Sequence, residues 1–82
     1  MGLSAHLLLK LTRKYEPSAM IRSSFRGKDL AIHTDNEGNP VTLFIGRYDD
    51  AGRIRGQRYT RTLKADNSGR IIKDHWDLKG SV

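Results

Sequence analysis

Cysteine is missing from all 82 residues, so neither disulfides nor a thiolate zinc site stabilise the fold, and apolar packing has to do it alone. Long apolar runs are missing too. The richest stretch, HLLLKL, falls far short of the roughly 18 to 20 residues that a membrane span needs, so a soluble chain is expected. After Leu11 the sequence turns to TRKYEP rather than to small residues, which predicts no secretory leader and makes the cytoplasm the default location. Acidic residues are scarce beside basic ones. Nine Asp and Glu face fifteen Lys and Arg, a net charge of +6, and that balance favours nucleic acid, another polyanion or an acidic protein as partner.

Arrangements that carry chemistry are missing as well. The three histidines, His6, His33 and His75, have no ligand spacing such as H-x-x-x-H or H-x-E. In the DHWD stretch a strand would send His75 and Asp77 one way and Asp74 the other. No nucleophile elbow is present, and Ser23 and Ser24 have no base in sight. The glycines of GRIRGQ lie inside a strand-like run rather than opening a helix, so they form no phosphate cradle. No catalytic residue, metal site or cofactor is expected, and the chain reads as a non-enzyme.

What the chain does have is a turn used three times. Asp35-Asn36-Glu37-Gly38, Asp49-Asp50-Ala51-Gly52 and Asp66-Asn67-Ser68-Gly69 all read Asp-x-x-Gly. Asp suits the first corner of a type I turn because its carboxylate accepts backbone N–H groups further on, and Gly tolerates the left-handed fourth position. Strand-forming segments flank all three: DLAIHT, VTLFIGRY, RIRGQRYTRTL and RIIKDHWDL. Three-residue loops closed by a Gly bulge then predict a four-stranded antiparallel meander in which Asp35 pairs with Asn39, Asp49 with Arg53 and Asp66 with Arg70.

Carried unbroken along the strands, this register puts Leu30, Ile32, Thr42, Phe44, Tyr48, Ile54, Thr60, Thr62, Ile72, Trp76 and Leu78 on one face. The other face takes His33, Val41, Leu43, Ile45, Arg47, Arg53, Arg55, Gln57, Tyr59, Arg61, Lys73, His75 and Asp77, with His75 beside Arg61. Gly46 faces Gly56 across the second hairpin, where the sheet can kink. Arg58 and Asp74 fall among the apolar residues and need a charged partner or a rim position.

Residues 1–27 read less clearly. Leu3, Leu7, Leu8, Leu11 and Tyr15 follow helical spacing over about Ser4 to Lys14, stopped by Pro17, while Leu7, Leu9 and Leu11 alternate as a strand would. SAMIRSSFRG reads as an extra strand turning into FRGKDL, with a short helix as the other possibility. Whichever forms, the segment has to cover the apolar face, or Trp76, Phe44 and Tyr48 would be exposed together.

The expectation is one domain over 1–82: a covering segment (1–27), an antiparallel meander (28–78) and a C-terminal tail (79–82). The fold class is mainly β (α+β), an N-terminal helix or strand and four to five strands curled over one core, with a small closed β-barrel as the alternative. The expected function is a small basic binding module that meets nucleic acid or another polyanion through Arg47, Arg53, Arg55, Tyr59, Arg61 and Lys73. The alternative is an interaction domain that pairs with a partner or with itself through a strand edge or through the apolar end at Val41, Leu43 and Ile45.

Overall fold

The computed structural model describes residues 3–82. Helix α1 (Ala5–Leu11) starts where Ser4 takes an extended backbone and its hydroxyl oxygen accepts the Leu7 N–H at 3.2 Å, satisfying one of the first-turn donors. At its other end the Thr12 hydroxyl donates to the Leu9 carbonyl (2.9 Å) and the Tyr15 hydroxyl to the Lys10 carbonyl (2.7 Å). The helix is shorter than the spacing predicted because these side chains take up the carbonyls that a further turn would have used. Leu7 and Leu11, one turn apart, are buried and Leu9 is exposed, so helical spacing prevails over alternation.

Five strands follow: β1 (Met20–Phe25), β2 (Lys28–Thr34), β3 (Pro40–Tyr48), β4 (Ile54–Ala65) and β5 (Ile71–Ser81). They form one sheet in the order β1-β2-β3-β4-β5, each antiparallel to the next. The sheet stays open, with β1 and β5 at its edges, so the barrel alternative is not the fold. β1 is the expected extra strand. It joins β2 through Arg26 (φ 50) and Gly27 (φ 80), a pair of left-handed residues of the kind a two-residue hairpin requires. Residues 79–81 are part of β5 rather than a tail, and Val82 exchanges both backbone hydrogen bonds with Gly56 (2.9 and 3.2 Å).

All three Asp-x-x-Gly turns form as their residues dictate. The N–H groups of Asp35, Asp49 and Asp66 donate to the carbonyls of Asn39, Arg53 and Arg70 at 2.9, 2.7 and 2.9 Å. Gly38, Gly52 and Gly69 are left-handed (φ 84, 80 and 85). Each Asp Oδ1 accepts two N–H groups: Glu37 and Asn39, Ala51 and Arg53, Ser68 and Arg70, all between 2.9 and 3.0 Å. The turns are stapled by carboxylates.

Away from the turns the register departs from the unbroken one. Thr34 pairs with Pro40 but His33 pairs with Thr42, which leaves Val41 as an extra residue. Beyond this bulge Ile32 lies opposite Leu43 and Leu30 opposite Ile45, so β3 is turned over relative to the expectation. A second bulge makes Ile72 the extra residue and sets Trp76 opposite Arg61 and His75 opposite Thr62; a third, at Lys79, separates the Tyr59–Leu78 and Arg58–Gly80 pairs. The second hairpin has no bulge and keeps the expected Gly46–Gly56 and Arg47–Arg55 pairs.

The physical reason lies in what each register gathers. The unbroken one mixes Thr42, Thr60 and Thr62 into the core face. The bulged one assembles Leu30, Ile32, Leu43 and Tyr59 with Leu7 and Leu11 of α1 into one buried cluster, flanked by Leu3, Ile21, Phe25, Ile45 and Trp76. Aliphatic side chains interlock better than threonines, whose hydroxyls would need partners if buried. Phe44 and Tyr48 therefore lie on the sheet face away from α1, where the Arg22 guanidinium stands 4.5 Å from the Tyr48 ring.

A buried threonine ties the loop after the helix to the sheet. Thr34 donates its hydroxyl to the Glu16 carbonyl (2.6 Å) and accepts the Ala19 N–H (2.9 Å). Ser18 N–H reaches the Asp35 carbonyl (2.8 Å) and Tyr15 N–H the Gly38 carbonyl (2.8 Å). The covering segment is thus anchored to the first Asp-x-x-Gly turn.

Two predictions follow from this geometry. A Cβ at Gly46 would collide with the Arg55 carbonyl, so Gly46→Ala should lower stability in a urea titration by roughly 1–3 kcal/mol. The second concerns acid. The Asp35 carboxyl is pushed up by burial but brought below its ordinary value by the N–H groups of Asn39 and Glu37; Asp49 is lowered foremost by the Arg53 N–H and Asp66 by the Ser68 hydroxyl. Groups lowered in the fold stabilise it fully above their unfolded value of 3.8 and lose that contribution as pH falls through the lower folded values. The melting temperature should hold from neutral pH to about 5 and drop on further acidification, with a shallower drop in Asp35→Asn.

Candidate anion-binding site

The six expected polyanion-binding residues do not share one surface. Tyr59 is 6% exposed, packed in the core beneath α1, and offers no ring for stacking. Arg61 is also taken. Its side chain is only 7% exposed; Nε and Nη2 donate to the two Asp74 oxygens (2.6 and 2.8 Å), and Nη1 donates to the Leu11 and Pro40 carbonyls (3.2 and 3.1 Å). Both were assigned to the solvent face by the unbroken register, and the Ile72 and Val41 bulges are what send them under the helix. Asp74 has the charged partner it needs, and that partner is Arg61 rather than Arg58. The Arg61 bonds in turn hold the Asp74 carboxyl below its ordinary value. Lys73 is exposed but sits opposite Lys64. From Arg55 that position lies nine residues along β4, about 30 Å at a strand's rise.

The apolar patch expected at Val41, Leu43 and Ile45 is likewise not an open surface. Leu43 is fully buried and Ile45 packs against the same cluster, because the first bulge turns both toward α1. Val41, the bulged residue, is half-buried.

Arg47, Arg53 and Arg55 remain together at the exposed end of the second hairpin. The structure adds Lys28 to them. Asp29 pairs with Gly46 and Gly46 with Gly56, so one step toward the turns Lys28, Arg47 and Arg55 form a line across β2, β3 and β4. At the spacing of neighbouring strands the line spans about 10 Å. Lys28 and Arg47 flank a hollow that Ile45, Gly46, Gly56 and Gln57 complete. Gly46 and Gly56 contribute backbone to that hollow, and each approaches its partner strand too closely for a Cβ.

A second hollow continues from the first and shares Lys28, Ile45 and Gln57 with it, adding Phe25, Arg26 and Ser4. The Arg26 guanidinium lies 5.1 Å from the Phe25 ring and 2.9 Å from His6 Nδ1. The two hollows make one groove, running from the start of α1 to the β3–β4 hairpin. One carboxylate touches the cation line: Asp49 Oδ2 accepts from Arg55 Nε at 3.1 Å, and the Arg55 side chain remains 65% exposed. Asp29 is turned away, with its carboxylate on the Tyr48 N–H at 3.0 Å.

Sequence reasoning missed Lys28 and Phe25. The signal for both was the FRGK hairpin: a two-residue Arg-Gly turn pairs Phe25 with Lys28 and starts β2 at a lysine. Chemically the groove offers cations for phosphate, an amide at Gln57 and an aromatic edge. Among the described residues no group of three or more His, Cys, Asp or Glu could hold a metal ion. No protein-family model, curated protein or solved structure matches the chain.

The removal of Arg61 from the surface can be checked by its effect on stability. Arg61→Ala leaves Asp74 and two carbonyls without their donor, and since Asp74 is 40% exposed and water can partly replace it, the expected cost is about 2–3 kcal/mol in a urea titration.

Proposed function

We propose that this domain is a non-enzymatic binding module that holds a polyanion, single-stranded nucleic acid foremost, in the groove lined by Phe25, Lys28, Arg47 and Gln57, with Arg55 next to Arg47 on the neighbouring strand. The observation that carries the reading is the line of three cations across three strands with a single carboxylate against it. Like charges on adjacent strands repel, and a bound phosphate between them converts that repulsion into attraction. Strand spacing is also shorter than the reach of one nucleotide step, so a phosphodiester chain laid across the strands meets successive cations. At the groove's other end Phe25 packs on the core and carries the Arg26 guanidinium over its ring, so a base there meets an aromatic edge and a guanidinium. The net charge of +6 draws such a ligand toward the domain from a distance.

Anisotropy of a fluorescent single-stranded oligonucleotide, titrated at several ionic strengths, tests the reading. Three phosphate contacts predict that the logarithm of affinity falls against the logarithm of salt with a slope of about −2. Lys28→Ala, Arg47→Ala and Arg55→Ala should each weaken binding and make the slope shallower. Phe25→Ala should weaken binding and leave the slope unchanged. Lys64→Ala, at the other end of β4, should change neither. Absence of binding at low salt, or an equal loss from Lys64→Ala, would refute the assignment.

A further inference from the structure

Edge strand β5 runs for eleven residues beside β4 alone. Edges of this length in monomers are normally kept short or covered, because their free N–H and C=O groups recruit another strand. This one also exposes Ile71 (53%), Ile72 (63%) and Leu78 (49%). Between the bulges at Ile72 and Lys79 the stretch Lys73 to Leu78 pairs with β4 without interruption, leaving its outer edge regular and able to accept a further strand.

We infer that β5 pairs antiparallel with β5 of a second copy of this chain, with His75 on the two-fold axis, to make one continuous sheet. Charge complementarity selects both the occupant and the register. With His75 opposite His75, Lys73 lies opposite Asp77 twice, Ile72 opposite Leu78 twice, and Asp74 opposite Trp76 twice. Sliding the copies by two residues, the smallest shift that keeps both helices on the same side, brings Asp74 onto Asp74 in one direction and Lys73 onto Lys79 in the other. Of these three registers, the central one alone sets Lys73 opposite an acid and apolar residues opposite each other.

Each monomer also has a deficit that this pairing corrects. Lys73 faces Lys64 across β4, a like-charge pair with no carboxylate among the described residues bonded to either. Asp77 of the second copy supplies the missing charge on the free side of Lys73. Asp77 has one partner in its own chain, His75 Nε2 at 2.9 Å, and its second oxygen remains for the lysine. Asp74 brings no unpaired charge to the seam, because Arg61 already holds both of its oxygens.

Sedimentation velocity on the full chain, without nucleic acid, over a concentration series, tests the pairing independently of the proposed groove, because no polyanion is present. The wild-type protein should move from 9.3 kDa toward twice that mass as concentration rises. Lys73→Asp and Asp77→Lys each place like charges opposite one another at two points and should weaken association about tenfold or more. An equimolar mixture of the two variants restores opposite charges at both points and should return the doubled mass as a heterodimer. A wild-type monomer at every concentration, or a mixture no more associated than its components, would overturn the inference.

Discussion

One guanidinium joins the three parts of this domain. Arg61 stands in the middle of β4 and binds the last carbonyl of α1, the first carbonyl of β3 and both oxygens of Asp74 on β5. A helix of seven residues is too short to be stable alone, and its terminal carbonyls need donors. Arg61 supplies one of them from beneath, while Leu7 and Leu11 insert into the cluster beside it. The charge tolerates this position because it is paired and five-fold hydrogen-bond capacity is largely used. The Trp76 ring, 5.7 Å from the guanidinium, closes its remaining side.

From that constraint the division of the sheet follows. The face under α1 is small and aliphatic, as a chain of this length allows. The opposite face carries Phe44 and Tyr48, the latter with the Arg22 guanidinium over its ring, without a helix over them. At the hairpin end the core runs out, and the side chains of the same strands change from Leu43 and Ile45 to Arg47, and from Tyr59 to Gln57 and Arg55. The cation line thus sits where strands project past the helix. Among the described residues the line has one ion pair, Arg55 with Asp49.

Part of the site was legible in the residues. Arg47 and Arg55 flank a hairpin whose register has no bulge, so an argument from the Asp49-to-Gly52 turn places them side by side correctly. Tyr59 and Arg61 lie only a few residues further along β4, yet the same argument misplaces them, because their environment is decided by β5, β3 and α1 rather than by the nearest turn. Lys28 was obscured for a related reason. Its neighbours across the sheet depend on how β2 meets β3, and that junction contains the Val41 bulge.

The sequence by itself determined an antiparallel meander of four to five strands and the three Asp-x-x-Gly turns with their local pairing, while over residues 1–27 it allowed a helix from Leu7 and Leu11 spacing beside a strand. These are short-range matters, governed by which residue tolerates a left-handed corner, which carboxylate reaches which N–H, and which side chains recur each turn. Only the tertiary structure decided which face of β3 and β5 became the core. Each bulge inserts one residue and reverses every side chain beyond it. The gain from gathering Leu43, Ile45 and Tyr59 under a helix depends on segments far apart in the chain, and no local pattern in Val41 or Ile72 announces it.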